Sequence, residues 1–318
     1  MYFILRRIGA ALATLFLVSV FCFLSFSVIR GDPAAAALGV NATPAQLEAY
    51  RSEMGLDRNI AARYSQWLGN FLSGNPGNST RFRGEAISSL VLERLPVSFT
   101  LAAISLFFIL LIAVPVSLFL VRRENGIIDR VVTVFTAAGV SIPNFFLGVL
   151  FIWIFGIGLR QFTAGTYIGY RENFAGFIGC LVFPALAIAV PNAAVLTKFL
   201  RSSLYKEWRS DYVRTALAKG AGNFHALHRH ALRNAVVPSI AVLGMIVAEV
   251  FSGSIVIEQV FGIPGIGRLL IAAITSRDYP LIQTLVMYIA LIVIIANTIA
   301  DIGIQLIDPR IRLERETP

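Results

Sequence analysis

Charged side chains are scarce in this sequence of 318 residues. Only 14% of the residues are Asp, Glu, Lys or Arg, whereas soluble domains contain about 25%. The three lysines precede Phe199, Glu207 and Gly220. A phosphate-binding P-loop needs a G-K-[ST] sequence, so the chain has no such site for ATP hydrolysis. It also has no H-E-x-x-H and no G-x-S-x-G sequence, and we predict no catalytic residues.

Cysteine and histidine are also rare. Cys22 and Cys180 lie in apolar segments, and two isolated cysteines indicate neither a disulfide framework nor a metal site. The histidines are His225, His228 and His230. In an α-helix the first two share a face, whereas His230 points away from them. This spacing disfavours a metal site, and we predict no metal or other cofactor in the chain.

Long uncharged apolar runs are abundant, and the mean hydropathy is +0.75. Each run has the roughly 20 residues that a helix needs to cross the hydrocarbon core, and only Glu249 interrupts one of them. The first has 22 uncharged residues, more than the roughly 7–15 of a signal peptide, so we predict that it is retained. The six predicted membrane helices are Ile8–Ile29, Leu95–Val121, Val131–Leu159, Asn173–Thr197, Asn234–Ile257 and Tyr279–Ala300.

Arg and Lys are distributed unevenly between the loops of this topology. With the N-terminus in the cytoplasm, the inside segments hold 16 of them, and the short outside loops hold only Arg160, Arg171, Arg268 and Arg277. Cytoplasmic loops carry an excess of positive charge, so both termini are predicted to be cytoplasmic. Much of the net charge of +9 then follows from topology and from attraction to the anionic lipid bilayer. We therefore predict no binding to nucleic acid.

The segment 30–94 follows the first span and is predicted to lie outside. It opens with a turn-like Gly31-Asp32-Pro33. A helix is predicted after Thr43, which has the position of an N-cap, with Pro44 and Gln46 at the first and third helical positions. A second helix is predicted near Ile60–Leu72. We expect its apolar stripe to pack on the chain's own membrane helices; the stripe consists of Ala61, Tyr64, Trp67, Leu68 and Phe71.

The polar segment Asp211–Pro238 lies between the fourth and fifth predicted spans. Glu207–Lys219 favours a helix, Gly220-Ala221-Gly222 breaks it, and Asn223 is a good N-cap for a second short helix. Two short helices with an exposed apolar stripe suit a groove on another protein. An amphipathic helix lying on lipid headgroups explains the basic residues equally well. The predicted stripe consists of Phe224, Leu227 and Ala231.

Several motifs occur in order along nearly the whole chain. In the polar segment, Thr215-Ala216 precede Gly220, and His230-Ala231-Leu232-Arg233-Asn234-Ala235 and Pro238 follow. The others are Phe3-Ile4-Leu5-Arg6-Arg7, Gly31-Asp32-Pro33, Gly55-Leu56-Asp57, Phe261-Gly262-Ile263-Pro264-Gly265-Ile266-Gly267, Arg277-Asp278-Tyr279-Pro280 and Asp308-Pro309-Arg310-Ile311-Arg312. With these motifs the chain closely resembles the membrane permease subunits of ABC importers for dipeptides, oligopeptides, nickel and glutathione.

The sequence departs from this family in two places. Arg214 stands where the general importer loop has Glu, although the peptide branch often has Arg there. Gly74-Asn75-Pro76-Gly77 stands where the family more often has Gly-Asp before the second glycine. The second departure either alters the contact with an external binding protein or is ordinary variation of a loop.

The resemblance implies an all-α polytopic membrane protein with the type I ABC importer permease fold. Its segments are a first span 1–29, an external insertion 30–94, a five-helix core 95–306 with a coupling loop within 201–233, and a tail 307–318. It implies a transport subunit of the bacterial cytoplasmic membrane rather than an enzyme. The residues implied in coupling to an ATPase are Thr215, Ala216, Lys219, Gly220, Asn223, Phe224, Leu227 and His230.

The resemblance also implies partners. A second homologous permease subunit would complete the pathway as a heterodimer, and an external substrate-binding protein would deliver peptides or related solutes. Two cytoplasmic ATPase subunits would bind ATP and Mg²⁺ and drive transport through the loop 211–233.

Polar residues at membrane depth are candidates for the substrate pathway. Glu249 lies midway along the fifth span, where a peptide amino terminus would pair with it; a structural bond to another helix is an equally good explanation. Glu258 is expected at the outer boundary, in contact with water. We expect Pro143 to break the third span. The remaining candidates are Ser141, Asn144, Ser252, Ser254 and Asn297.

Two other functions are compatible with the same features. If Glu249 relays protons, the chain is a proton-coupled secondary transporter. If the polar segment only recruits cytoplasmic proteins, the chain is a scaffold.

Overall fold

The computed structural model describes residues 2–28, 43–53, 58–82, 84–122 and 126–307. Within these ranges the chain is helical and has no strand, apart from one isolated antiparallel bridge between Asn78 and Ala86. The turn predicted at Gly31-Asp32-Pro33 and the tail beyond Ile307 lie outside the described residues. The helices are α1 (Tyr2–Val28), α2 (Pro44–Glu53), α3 (Ile60–Leu72), α4 (Ile87–Arg122), α5 (Ile127–Ser141), α6 (Asn144–Phe151), α7 (Phe174–Trp208), α8 (Asp211–Ala218), α9 (Asn223–His225), α10 (Leu232–Phe261), α11 (Ile266–Ser276) and α12 (Tyr279–Ile307).

Five stretches of continuous helix are long and apolar enough to cross a membrane. They match five of the six predicted spans, and the sixth is a bent pair. In the pair, Asp129–Ser141 and Asn144–Gly158 meet at 103°, and a π-helical turn, Ile152–Gly158, continues α6. The five continuous stretches are Leu5–Phe26, Ile87–Arg122, Phe174–Trp208, Asn223–Phe261 and Tyr279–Gly303.

The bend confirms the break predicted at Pro143. Ile142 and Pro143 are both extended, with ψ values of 123° and 142°. The ring of a proline disfavours helical backbone in the residue before it, which accounts for the conformation of Ile142. Pro143 also lacks the N–H that would continue the helical ladder. The third apolar run is therefore two helical pieces rather than one straight helix.

The chain forms two compact units. The first comprises Met1–Ser98 and Pro264–Ile295, and the second comprises Phe99–Ile263 and Ala296–Pro318. In the first unit, buried residues of α4, α11 and α12 form one apolar core, which includes Ile87, Leu269, Leu281 and Leu285.

In the first unit, α3 packs on α1 through aromatic side chains. The Phe23 ring lies 5.5 Å from that of Tyr64 and 5.7 Å from that of Trp67, measured between centroids. The Tyr64 hydroxyl is 2.7 Å from Ser19 Oγ, and Phe71 lies against Tyr288, with centroids 5.2 Å apart. The stripe on α3 thus packs on the chain's own apolar helices α1 and α12, as predicted.

The predicted start of α2 is also confirmed. The Thr43 N–H donates to Gln46 Oε1 over 2.9 Å, and the Gln46 N–H donates to Thr43 Oγ1 over 3.4 Å. This reciprocal pair is a capping box, which satisfies two backbone donors that the helix leaves unpaired.

A buried carboxylate, Asp278, connects three parts of the first unit. It is 0% exposed. Its Oδ2 accepts hydrogen bonds from Ser79 Oγ (2.5 Å) and from the Arg81 N–H (3.1 Å), and its Oδ1 accepts one from the Leu281 N–H (3.3 Å). Asp278 therefore caps the start of α12 and holds the loop before α4 against it.

We expect Asp278→Ala to lower the free energy of unfolding by roughly 2–4 kcal/mol, because buried donors lose a charged acceptor. Thermal unfolding of the detergent-purified chain measures this effect. Asp278→Asn retains an acceptor oxygen and should fall between Ala and wild type. The matched control is Asp211→Ala, since the Asp211 side chain is 99% exposed and approaches Arg214 only to 3.9 Å. Equal effects of Asp278→Ala and the control would contradict the prediction.

In the second unit, α7 packs along α10, α5 and α6. Small residues allow close approach: a Cβ on Gly139 of α5 would lie 3.0 Å from the Ala194 Cβ of α7. Such small residues are typical of helix interfaces in membranes. An ion pair reinforces the contact between α5 and α7, with Arg201 Nη2 2.6 Å from Asp129 Oδ1.

Candidate functional site

The polar segment begins with a short break after α7. Glu207 and Trp208 still belong to α7, and Arg209 and Ser210 separate it from α8. The prediction of one helix over Glu207–Lys219 is therefore wrong at its start. The Ser210 hydroxyl donates to the Glu207 carbonyl over 2.6 Å, and this local bond favours a turn over continued helix.

Tyr212 of α8 is tied back to α7 across this break. Its hydroxyl donates to Glu207 Oε2 over 2.6 Å. Partial burial of the hydroxyl raises the pKa of Tyr212, and the hydrogen bond to Glu207 raises it further. The phenol is therefore kept protonated, so it remains a donor that fixes the angle between α7 and α8.

Gly220 ends α8 in the left-handed conformation, with a φ of +89°. The Gly220 N–H donates to the Leu217 carbonyl and the Ala221 N–H to the Ala216 carbonyl, over 2.9 and 3.1 Å. These two bonds form a Schellman motif, in which glycine is favoured because other side chains strain this backbone. The turn predicted at Gly220 is confirmed, and its left-handed backbone explains why glycine stands at this position.

The second short helix begins one residue earlier than predicted. Gly222 is the N-cap and Asn223 is the first helical residue, so the side chain of Asn223 does not cap the helix. The helix then widens into a π-helix over Ala226–Ala231. In a π-helix the neighbours on one face are five residues apart. The ring centroids of His225 and His230 accordingly lie 6.0 Å apart, and the prediction that His230 points away from His225 is wrong.

The predicted apolar stripe is divided between surface and core. Phe224 is 64% exposed, whereas Leu227 and Ala231 are 0% exposed. The expectation of an exposed stripe is thus wrong for these two residues, because the segment packs on the ends of α4 and α7. The buried cluster around them consists of Val121, Leu200, Leu204, Val213, Ala226, Leu227, Ala231 and Ala235.

The exposed Phe224 is held between two side chains. Its ring stacks on that of His228 with centroids 4.0 Å apart. The guanidinium of Arg122, at the end of α4, lies 5.0 Å from the centroid of the Phe224 ring, within cation–π range. Sequence reasoning assigned Arg122 only to the positive charge of an inside loop, so it missed this contact. We name Arg122, Phe224 and His228 the aromatic stack.

The eight predicted coupling residues surround this stack and the Gly220 turn, but not all are accessible. Leu227 is buried, and Ala216 and His230 are half-buried. The Thr215 hydroxyl donates to the Asp211 carbonyl over 2.8 Å. The exposed members are Thr215, Lys219, Gly220, Asn223 and Phe224. The segment is therefore a rigid surface with one prominent aromatic ring.

The structure brings two of the predicted pathway regions together. The Asn144 amide, at the start of α6, lies against Gly253 of α10, so that a Cβ on Gly253 would be 2.7 Å from Asn144 Nδ2. Ser252 beside it is exposed, whereas Ser254 is buried and its hydroxyl donates to the Phe251 carbonyl over 2.8 Å. The break in the third span and the middle of α10 are therefore neighbours.

The remaining pathway candidates lie on partly accessible helix faces. Glu249 and Ser252 are exposed on one face of α10, and the exposed Met245 and Val256 lie on the same face. Ser141 is exposed at the end of α5, and its hydroxyl donates to the Ala137 carbonyl over 3.2 Å. Asn297 on α12 is half-buried.

Glu258 does not lie in water as expected. It is 0% exposed, because it belongs to the inward face of α10 that also carries Val250, Ser254 and Phe261. The helical spacing of these residues in the sequence could have predicted that Glu258 is buried. Among the residues that the structure describes, no group of three His, Cys, Asp or Glu side chains is arranged to hold a metal ion.

Two family profiles cover almost the whole chain. Residues 113–313 match the binding-protein-dependent transport system inner membrane component. Residues 1–102 match the N-terminal part of the same membrane component.

Similar full-length proteins carry consistent names. The chain is 35% identical over 310 residues to the probable peptide ABC transporter permease protein y4tP of Sinorhizobium fredii, covering 98% of this chain and 99% of that protein. It is 32% identical over 311 residues to the oligopeptide transport system permease protein AppB of Bacillus subtilis, covering 97% and 98%. A putative peptide transport system permease protein of Brucella abortus is also 32% identical over 311 residues, covering 98% and 99%.

These matches favour an ABC importer over a proton-coupled secondary transporter. Family membership implies ATPase and substrate-binding partners in general. It also accounts for the several apolar helices, because the family consists of multi-pass inner membrane proteins. The chain is therefore a transport subunit and not an enzyme, and it belongs to the family of binding-protein-dependent transport system inner membrane components, the permease subunits of ABC importers.

Proposed function

We propose that the chain forms half of a pathway that imports di- and oligopeptides. The names of the relatives, which are peptide and oligopeptide permeases, support this substrate class. In the proposed assembly a second homologous permease completes the pathway as a heterodimer, and an external binding protein delivers the peptide. Two ATPase subunits bind ATP and Mg²⁺, and this chain holds no cofactor of its own.

The observation that carries the coupling proposal is the contrast between Phe224 and Leu227. Phe224 projects from the surface, and Leu227, one helical turn away, is fully buried between the ends of α4 and α7. Phe224, at 64% exposed, is more exposed than Tyr212, at 38%. A protruding ring on an anchored segment has the properties of an interface anchor, since such rings dominate binding in pockets. We propose that the ring enters a cleft of the ATPase.

Movement of this anchor is transmitted to several helices at once. The buried cluster contains residues of α4, α7 and α8 as well as the start of α10. Packed interiors shift as units rather than deform continuously. An ATPase that displaces the segment therefore displaces the ends of three membrane helices together.

The orientation of the chain in the membrane is part of this proposal. We place both termini, the polar segment and the aromatic stack in the cytoplasm, because 16 Arg and Lys residues are predicted on that side. The segment 30–94 then faces the binding protein.

We propose that the exposed face of α10 lines the pathway. Glu249 is exposed on a helix that is otherwise apolar there, and an ionisable group of this kind is stable only beside water or a partner. With Ser252 on the same face, it offers polar contacts to a peptide backbone or amino terminus. Ser141, Asn144 and Asn297 are further candidates in the same unit, whereas Ser254 lies on the buried face of α10.

ATP-driven uptake by the reconstituted assembly tests the overall function. Radiolabelled dipeptide should accumulate in proteoliposomes only when binding protein, ATPases and ATP are all present. Uptake should persist when an ionophore dissipates the proton gradient. Uptake that needs the gradient and no ATPase would instead establish a secondary transporter.

Gly220→Val should uncouple ATP hydrolysis from uptake. The left-handed φ of +89° is strained for any residue with a Cβ, by roughly 1–2 kcal/mol, and the turn that orients the aromatic stack is expected to shift. The control is Gly222→Ala, because Gly222 has a φ of −63° and open space around it. We expect the Gly220 variant to insert normally and to lose most uptake, and the Gly222 variant to behave as wild type. Normal uptake by Gly220→Val would disprove the proposed role of the turn.

Substitutions of Phe224 and Leu227 should have different effects. Phe224→Ala removes an exposed ring, so we expect unchanged thermal stability and at least roughly tenfold weaker retention of the ATPases on the purified permeases. Leu227→Ala opens a cavity in a packed core, so we expect a loss of about 2–5 kcal/mol of stability. Thermal unfolding and co-purification measure the two effects. If the Phe224→Ala variant retains the ATPases as well as wild type does, Phe224 is not an interface anchor.

Glu249→Gln should lower peptide uptake several-fold and leave ATPase retention intact, because it removes one charge from the exposed face of α10. Met245→Leu on the same face keeps volume and polarity and is expected to transport normally. If the two variants transport equally well, Glu249 has a structural role only.

A further inference from the structure

An unassigned cavity lies between α5 and α7 in the second unit. Its volume is about 630 Å³, within the range of roughly 300–1,000 Å³ that small-molecule sites occupy. Ser141, at the end of α5, lines it beside the break in the third span. The cavity therefore borders the region that we assign to the substrate pathway.

The lining combines hydroxyl groups with positive charge. Thr133, Thr136 and Ser141 of α5 face Ser202 of α7. Within the part of the chain that the structure describes, the charged side chains in the lining are Lys198 and Arg201, both on α7. Hydroxyl groups and cations together are the usual partners of carboxylate and phosphate groups.

The two cations are in different electrostatic states. Arg201 is neutralised by Asp129, with its Nη2 2.6 Å from Oδ1 and 2.8 Å from Oδ2, and its Nη1 donates to Thr133 Oγ1 over 2.5 Å. Among the residues that the structure describes, Lys198 Nζ makes no ion pair or hydrogen bond. The cavity therefore keeps one uncompensated positive charge beside a guanidinium that is fixed in place.

We propose that this cavity binds the terminal carboxylate of a peptide in transit. Lys198 supplies the charge, and the hydroxyl group of Ser202, which is exposed one helical turn further along α7, supplies a hydrogen bond. A free amino terminus is repelled by the same charge. This site deepens the proposed function and rests on it, because it presumes that peptides pass through this chain.

The test measures occupancy of the cavity directly. Ala137→Cys, at an exposed position of the lining that makes no proposed contact with the carboxylate, is introduced after Cys22 and Cys180, the two native cysteines, have been replaced by Ala. The complex of both permeases and both ATPases is held in nanodiscs of phosphatidylcholine. The labelling rate of the new thiol is measured with an anionic and with a neutral methanethiosulfonate of similar size. We expect the anionic reagent to be favoured by roughly fivefold, the effect of one nearby charge.

Two charge variants show which residue causes this preference. Lys198→Gln should abolish it. Lys206→Gln, on the same helix but outside the cavity lining, should retain it. A preference that survives Lys198→Gln overturns the assignment of the charge and, with it, the site.

Protection of the new thiol from labelling identifies the chemical group that the cavity binds. Millimolar dialanine should slow labelling at least threefold, and dialanine amide, which lacks the carboxylate, should not. Equal protection by both, or protection by neither, overturns the proposal. If phosphatidylglycerol in the nanodisc gives protection and dialanine does not, the cavity is a lipid headgroup site and the proposal is wrong.

Uptake of dialanine by the same permeases and ATPases, reconstituted in proteoliposomes with the binding protein, separates this proposal from the function on which it rests. Uptake without protection disproves the carboxylate site alone. Carboxylate-specific protection without ATP-driven uptake supports the site and disproves peptide import by the assembly.

Discussion

The position of the polar segment in the second unit depends on one buried cluster, in which Leu227 packs between the ends of α4 and α7. Burial of an apolar side chain of this size stabilises a fold by roughly 1.5–3 kcal/mol. Here it also converts a polar segment of two short helices into a rigid body. The segment is strongly basic, and its buried apolar residues, Val213, Ala226, Leu227 and Ala231, hold it to the membrane helices. Its surface features, including the aromatic stack, have fixed positions for that reason.

Hydrogen bonds, backbone geometry and a cation–π contact all restrict the conformation of the polar segment. The left-handed Gly220 ends α8 with two hydrogen bonds, and the Tyr212–Glu207 bond fixes the angle at its other end. Arg122 and His228 keep the exposed Phe224 ring in one orientation. Pre-ordering of this kind lowers the entropy lost when a partner binds. A surface that transmits movement from one protein to another benefits from this order, because a flexible contact would absorb the displacement.

Much of the fold was predictable from sequence, for identifiable reasons. Apolar length alone located the spans, Pro143 located the break, and the capping pattern after Thr43 located α2. Local chemistry determines each of these features. Asp278 and Ser79 are 199 positions apart, and no local pattern indicates such a contact. The approach of His225 to His230 was missed because the π-helix changes which residues share a face. The burial of Leu227 was missed because it depends on contacts with α4 and α7.

The break at Ile142–Pro143 has a consequence for what surrounds it. The last carbonyl groups of α5 have no helical N–H partner beyond Ser141, and Pro143 offers none. Hydrocarbon cannot satisfy such oxygens, so non-helical backbone at membrane depth is stable only against protein or water. These carbonyl oxygens are therefore expected to face protein or water rather than hydrocarbon.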